Sequence, residues 1–144
     1  MKKYKIGYTT GVFDMFHIGH LNILRRAKEL CEYLIVGVST DELVESYKNK
    51  TPVIPFEERK AIVEGIRYVD QVVPQTSLDK VAAWEKLHFD AVFHGDDWKG
   101  SNLYVQIEKT LQAVGCELVF LPHTEGTSST ALAQAIGCAA CEKE

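Results

Sequence analysis

Tyr4-Lys5-Ile6-Gly7-Tyr8 runs into Thr9-Thr10-Gly11-Val12-Phe13-Asp14-Met15-Phe16-His17-Ile18-Gly19-His20, and from there into Leu21-Asn22-Ile23-Leu24-Arg25-Arg26-Ala27. The first five residues are β-prone and carry no turn former except Gly7, so they read as a strand. The last block repeats apolar side chains at helical spacing: Leu21, Leu24, Ala27 and Cys31 form one stripe, widened by Ile23 and Leu30. A strand, a loop and a helix therefore follow one another within about thirty residues, as in a unit of a parallel α/β sheet. Two histidines stand where the loop enters the helix. A helix N-terminus offers unpaired N–H groups and the positive end of the dipole, both suited to phosphate. Gly19 has no Cβ to hinder a close approach, and imidazoles placed there can donate hydrogen bonds to phosphoryl oxygens.

Outward from this segment the same order repeats. Strands are expected at Tyr4–Tyr8, Tyr33–Val38, Gln71–Val73, Ala91–Phe93 and Glu117–Leu121. Most are continuous apolar runs, the pattern of parallel strands covered on both faces. Thr40 can cap a helix over Asp41–Tyr47, and Pro55 opens one over Phe56–Ile66. Ser77 can cap Leu78–Leu87, Gly115 stops a helix over Tyr104–Val114, and Ser128 or Ser129 can cap a last one to about Ile136. This order predicts an α/β fold with a doubly wound, Rossmann-like parallel sheet. One domain is expected over residues 1–144, with a peripheral tail from about 137. Such sheets bind ligands outside the carboxyl ends of their strands. The loops to search are then Thr9–His20, Ser39, Gly95–Gly100 and Pro122–Ser129.

Composition narrows the class. Apolar residues make up 46% and charged residues 25% of the chain, the profile of a globular protein, and the formal net charge is -4. Neither a nucleic acid nor membrane insertion is expected, although a local basic site for a small anion is compatible with this balance. No apolar run is long enough for a membrane span, and the N-terminal stretch is too short and polar for a signal peptide, so a cytoplasmic location is expected. Cys138 and Cys141 have C-x-x-C spacing but no second pair, and they read as an incidental feature of the tail. His17 and His20 as a zinc site would lack a third ligand, since His88, His94 and His123 fall on separate elements. Ordinary helix capping is the other plain reading of this pair.

Further clusters fall at the expected strand ends and nearby. Lys48-Asn49-Lys50 is a short basic stretch suited to a polyanion. Arg59 and Arg67 are eight residues apart, near one helical face. Gly95-Asp96-Asp97-Trp98-Lys99-Gly100 follows strand four, and His123-Thr124-Glu125-Gly126-Thr127-Ser128-Ser129-Thr130 follows strand five. Read alone, these allow a solvated loop, surface ion pairs, a turn with a core aromatic and a helix cap.

Together with Gly11-Val12-Phe13-Asp14-Met15-Phe16-His17-Ile18-Gly19-His20, they resemble the HxGH nucleotidyltransferases. The likeness is greatest to their cytidylyltransferase branch acting on glycerol phosphate, over roughly residues 4–134. The resemblance implies transfer of CMP from CTP to a small phosphorylated acceptor, glycerol 3-phosphate or a related polyol phosphate, with release of pyrophosphate. It implies that His17 and His20 meet the α- and β-phosphates and that Lys48 bridges the two reactants, these three being the catalytic set. It places Val12, Phe13, Gly19, Lys50, Asp96, Trp98, His123, Thr124, Gly126, Ser128, Ser129 and Thr130 around the nucleotide. The acceptor would meet Lys48, Lys80, Arg59 and Arg67, the two arginines supporting the site or a subunit interface. Mg²⁺ would accompany the triphosphate, and a homodimer is implied, with Arg67-Tyr68-Val69-Asp70 a mixed strip suited to an interface. Three positions depart from the family pattern: Val12 replaces a threonine, His123 an arginine and Thr127 an isoleucine. The competing expectations are ATP in place of CTP on the same fold, and a nucleotide-binding module without turnover.

Overall fold

The computed structural model describes residues 3–48, 50–77, 79–95 and 102–121. In chain order the elements are β1 (Tyr4–Gly11), α1 (Ile18–Leu30), β2 (Cys31–Ser39), α2 (Asp41–Lys48), α3 (Phe56–Glu64), β3 (Gln71–Gln75), α4 (Lys80–Leu87), β4 (Ala91–Gly95), α5 (Asn102–Ala113) and β5 (Glu117–Leu121). All the strand pairs are parallel, in the order β3-β2-β1-β4-β5. The chain walks outward from β1 to β3, crosses back over the sheet through α4, and continues outward on the other side. The direction reverses between β1 and β4, so the crevice expected to hold ligands opens at their carboxyl ends.

Alternating residues send two cores to opposite faces. Leu24 and Ala27 of α1 and Val63 of α3 pack with Leu34, Val36, Val38, Ala91 and Phe93 on one face. On the other, Tyr8, Ile35, Val92 and Leu118 pack with Leu111 of α5, with Val81, Ala83, Trp84 and Leu87 of α4 against them. Leu24, Val36, Val63 and Phe93 are each fully buried, and each such side chain contributes about 2 kcal/mol of hydrophobic burial. Gly37 is required by space: a Cβ there would come within 2.5 Å of the Tyr8 hydroxyl. Gly115, at φ +85, makes the left-handed turn that ends α5 and starts β5.

The elements correct the expectations at several ends. Cys31 extends the stripe of α1 in sequence, yet it begins β2, pairing with Tyr4. Its burial serves the strand, and its thiol donates to the Ala27 carbonyl at 3.3 Å. The helix expected from Leu78 starts at Lys80, because Asp79 Oδ1 accepts from the Val81 and Ala82 N–H groups at 2.9 and 3.2 Å. Ser77 instead accepts from the Asp79 N–H at 3.1 Å. Thr40 does cap α2, its hydroxyl accepting from Leu43 N–H at 3.2 Å. Helix α3 stops at Glu64 with Gly65 as its cap, so Arg67 shares no helical face with Arg59. The helix expected after Ser128 and the tail from about 137 lie outside the described residues.

Candidate active site

The loop leaving β1 is held in an uncommon shape. Phe13 and Met15 have φ of 55° and 49°, the left-handed region that costs a bulky side chain about 1–3 kcal/mol. Two contacts hold it there. Phe13 is buried in the core under α1. The buried Asp14 carboxylate accepts from Val53 and Ile54 N–H at 2.8 and 2.9 Å. Val53 lies three residues past Lys50, so Asp14 ties the stretch carrying Lys48 and Lys50 to the histidine loop.

At the start of α1 the histidines cap the helix themselves. His17 is the N-cap, and its Nδ1 accepts from Gly19 N–H at 3.0 Å. His20 Nδ1 accepts in turn from the His17 backbone N–H at 3.3 Å. This is a capping box built from imidazoles rather than from hydroxyl and carboxylate. A ring whose Nδ1 accepts is the neutral tautomer that carries its hydrogen on Nε2. The rings stack with centroids 4.0 Å apart, and Phe13 and Phe16 pack against His20 at 5.4 and 5.2 Å. Burial pushes the His17 pKa below the ordinary imidazole value. The arrangement thus holds neutral donors at a helix N-terminus, where developing negative charge is stabilised. Gly19 is buried between them.

Arg59 joins the loops around this centre. It is fully buried; Nε donates to Ile54 O at 2.7 Å, and one terminal nitrogen donates to Val12 O at 2.7 Å and Ser39 O at 2.8 Å. The other donates to Asp41 Oδ1 at 2.5 Å. The guanidinium is therefore spent on holding the ends of β1 and β2 and the start of α3 together. Of its two expected roles, contact with the acceptor and support of the site, these hydrogen bonds are those of support.

Lys80 approaches the same end of β1 from the opposite face. It is 4% exposed, and its Nζ donates to Thr10 Oγ1 at 2.7 Å. Burial pulls its pKa down to about 8. His94, buried near the end of β4, is held neutral, its pKa lowered to about 3 by burial and then by the Lys80 charge.

A family model for cytidylyltransferase-like proteins matches residues 8–135, which contain the histidine box, the Arg59 clamp and Lys80. The chain belongs to the cytidylyltransferase-like family. It is 39% identical over 135 residues to glycerol-3-phosphate cytidylyltransferase of Bacillus subtilis, covering 89% of this chain and 94% of that protein. It is likewise 39% identical to the Staphylococcus aureus protein of the same name, over 88% of this chain and 90% of that one. Ethanolamine-phosphate cytidylyltransferase of Mus musculus is 35% identical over 85% of this chain, which spans 30% of that longer protein. Among solved structures, a lipopolysaccharide core biosynthesis protein from Thermoplasma volcanium superposes with a TM-score of 0.74 at 22% identity, covering 85% of this chain and 99% of that one. Pantothenate synthetase from Thermus thermophilus superposes at 0.63 with 15% identity, covering 92% and 62%, and both show the shared fold.

Within this cytidylyltransferase-like chain, the fold brings Val12, Phe13, His17, Gly19, His20 and Lys80 to the carboxyl end of β1. Lys48 is the last residue of α2, and Lys50 follows in the stretch tied down by Asp14. Arg67 is not brought there. It is exposed in the turn before β3, and Asp70, three residues on, bonds Leu34 near the amino ends of the strands, the opposite edge of the sheet. Asp96, Trp98, His123, Thr124, Gly126, Ser128, Ser129 and Thr130 lie outside the described residues. Four contributors were not singled out from sequence: Asp14, Thr10, Asp41 and His94. Asp14 had a signal, an acid inside the loop motif. His94 had a weaker one, a polar residue closing an apolar strand.

Proposed function

We propose that the chain transfers CMP from CTP to glycerol 3-phosphate or a related polyol phosphate, giving a CDP-linked product and pyrophosphate. The observation that carries this reading is the imidazole capping box. It leaves neutral imidazoles, protonated on Nε2, at a helix N-terminus beside the carboxyl end of β1, in a chain 39% identical to glycerol-3-phosphate cytidylyltransferases. The acceptor's phosphate oxygen is already anionic, so in-line attack on the α-phosphorus needs no general base and no covalent intermediate. Alignment and charge stabilisation supply the rate. His17 and His20 take the α- and β-phosphate oxygens as charge moves to the leaving group. Lys48 bridges nucleotide and acceptor, with Lys50 beside it on the nucleotide. Asp96 and Trp98 border the base and ribose. Ser129 and Thr130 hold the departing pyrophosphate, and His123, Thr124, Gly126 and Ser128 contact the nucleotide beside them. Mg²⁺ arrives as part of the triphosphate substrate. The described carboxylates beside the site fit that role: Asp14 is taken by backbone N–H groups and Asp41 by Arg59, so neither is set aside as a metal ligand.

The protein works as a cytoplasmic homodimer in this reading. Support comes from the strip Arg67–Asp70 and from the exposed Ile62 and Tyr33 near the β3 edge. Pyrophosphate release, with four nucleotides crossed against a panel of phosphorylated acceptors, tests the function. CTP with glycerol 3-phosphate gives the highest turnover. Equal or faster release with ATP across the panel rejects the nucleotide assignment, and binding without release rejects catalysis.

A further inference from the structure

Between α4 and the β2–β3 side of the sheet lies a cavity of about 250 Å³. Tyr8, Val73 and Gln75 line it from the sheet, and Ala82, Ala83 and Leu87 line it from α4. Small residues leave the space open. Gly37 lets Tyr8 reach across to β2, its hydroxyl 2.5 Å from the point where a Gly37 Cβ would stand, and the two alanines shorten the facing surface of α4. Tyr8 is 2% exposed, and its ring is fixed by stacking on Phe89 at 4.6 Å. Yet its hydroxyl makes no hydrogen bond among the described residues. Every described side-chain nitrogen or oxygen that is sealed from open space has a partner. The Tyr8 hydroxyl therefore meets open space, and that space is the cavity it lines. Burial raises its pKa to about 12, so the phenol keeps its hydrogen and can donate it.

Gln75, 6% exposed, is the second polar group on this wall. Its Oε1 accepts from the Ser39 hydroxyl at 2.8 Å, which leaves the amide N–H groups unspent among the described residues. Gly37 pairs with Val73 and Ser39 with Gln75, so hydroxyl and amide occupy neighbouring positions on one face of the sheet. An apolar cavity with two unspent donors asks for an acceptor. The charged residues that line it, Asp79 and Lys86, are exposed and opposite in sign, and the Asp79 carboxylate is engaged in capping α4. The buried groups are all neutral. An ionised ligand would exchange its hydration for neutral donors at high cost, whereas an uncharged one would not. We propose that this cavity is a second binding site, for a small, mostly apolar, uncharged molecule that presents a carbonyl oxygen to Tyr8 and Gln75. None of its residues belongs to the nucleotide or acceptor sets given above, so the site stands apart from the reacting centre whichever acceptor is used.

The test uses the intact protein and two probes of one size. Benzamide is uncharged and carries the carbonyl; benzoate has the same ring and an ionised head. Proton–nitrogen correlation spectra follow the amides of Gly37, Val73 and Ala82 during titration. Benzamide should shift these signals with a dissociation constant in the millimolar range or tighter, and benzoate should bind at least fivefold more weakly. Tyr8→Phe keeps the ring and its stacking on Phe89 while removing the donor, and should weaken benzamide about fivefold. Ala83→Met, which fills the cavity, should abolish the shifts. Saturating CTP or glycerol 3-phosphate should leave benzamide bound. Absence of shifts at these amides, benzoate binding as tightly as benzamide, unchanged affinity in Tyr8→Phe, or displacement of benzamide by either substrate overturns the proposal.

Discussion

Replacing Arg59 by methionine, similar in length but without donors, should cost about 4 kcal/mol of folding stability and most of the activity. The figure follows from what the guanidinium holds. Three carbonyls, of Val12, Ser39 and Ile54, and the Asp41 carboxylate lose their donor at once. Breaking a buried ion pair by removing one partner costs about 3–5 kcal/mol, and each hydrogen bond to a charged group contributes roughly 1.5–3 kcal/mol. Two facts keep the sum low. The Asp41 side chain is 30% exposed and regains water, and the methionine fills most of the buried volume the arginine leaves. For a domain stable by roughly 5–15 kcal/mol, a loss of this size leaves a folded but weakened protein. Urea unfolding followed by tryptophan fluorescence reads the change as a lower midpoint at constant slope. Turnover measured well below the midpoint should fall at least a hundredfold, because the ends of β1 and β2 and the start of α3 are no longer held in register. Arg59→Lys, which keeps the charge toward Asp41 but not the fork, should fall between parent and methionine on both measures. A methionine variant within about 1 kcal/mol of the parent, with parental turnover, would refute the clamp.

His17→Asn keeps a good N-cap acceptor but removes the Nε2 donor; melting should change little while turnover drops by about 3 kcal/mol, and unchanged steady-state turnover would take the ring out of phosphate binding. Lys80→Met should stabilise the fold. Its folded pKa of about 8 lies below the ordinary lysine value of 10.5, so the native state resists the proton that the unfolded chain binds. The gain, on the order of 3 kcal/mol, is full below pH 8 and fades as pH rises toward 10.5, as denaturant midpoints across that range will show. Light scattering at assay concentration should return twice the mass of the chain, and a monomer would remove the dimer from the reading.

Much of this architecture is legible along the chain because its determinants are local. Continuous apolar strands, Thr40 and Pro55 before helices, and Gly115 after one each act within a few residues, and each element among the described residues formed near its expected place. The errors sit where two signals overlap. Cys31 satisfies both a helical stripe and a buried strand, and pairing with Tyr4 decides for the strand. Ser77 and Asp79 both suit a cap, and the carboxylate wins because it accepts two N–H groups at once. In the site, the Gly11–His20 string announces itself. The duty of Arg59 does not, since most of its partners are backbone carbonyls separated by up to 47 residues and leave no mark on side-chain pattern. His94 is hidden for a similar reason: its neighbourhood with Lys80, a residue reached only through the resemblance, exists once α4 has crossed the sheet.

The imidazole capping box also decides how this site treats soft metal ions. A histidine binds zinc through a bare ring nitrogen. Here the nitrogens facing away from the helix carry hydrogen, and the bare ones accept backbone N–H groups. To ligate through Nε2, each ring would have to move its proton to Nδ1, which would turn an acceptor into a donor pointed at another donor. The first turn of α1 would lose both of its caps in that exchange. Metal coordination and helix initiation therefore compete for the same lone pairs, and an HxxH spacing that looks like half of a zinc site is guarded against zinc by its own backbone. Excess zinc would act on this enzyme as a poison that frays α1, and a chelator would reverse it.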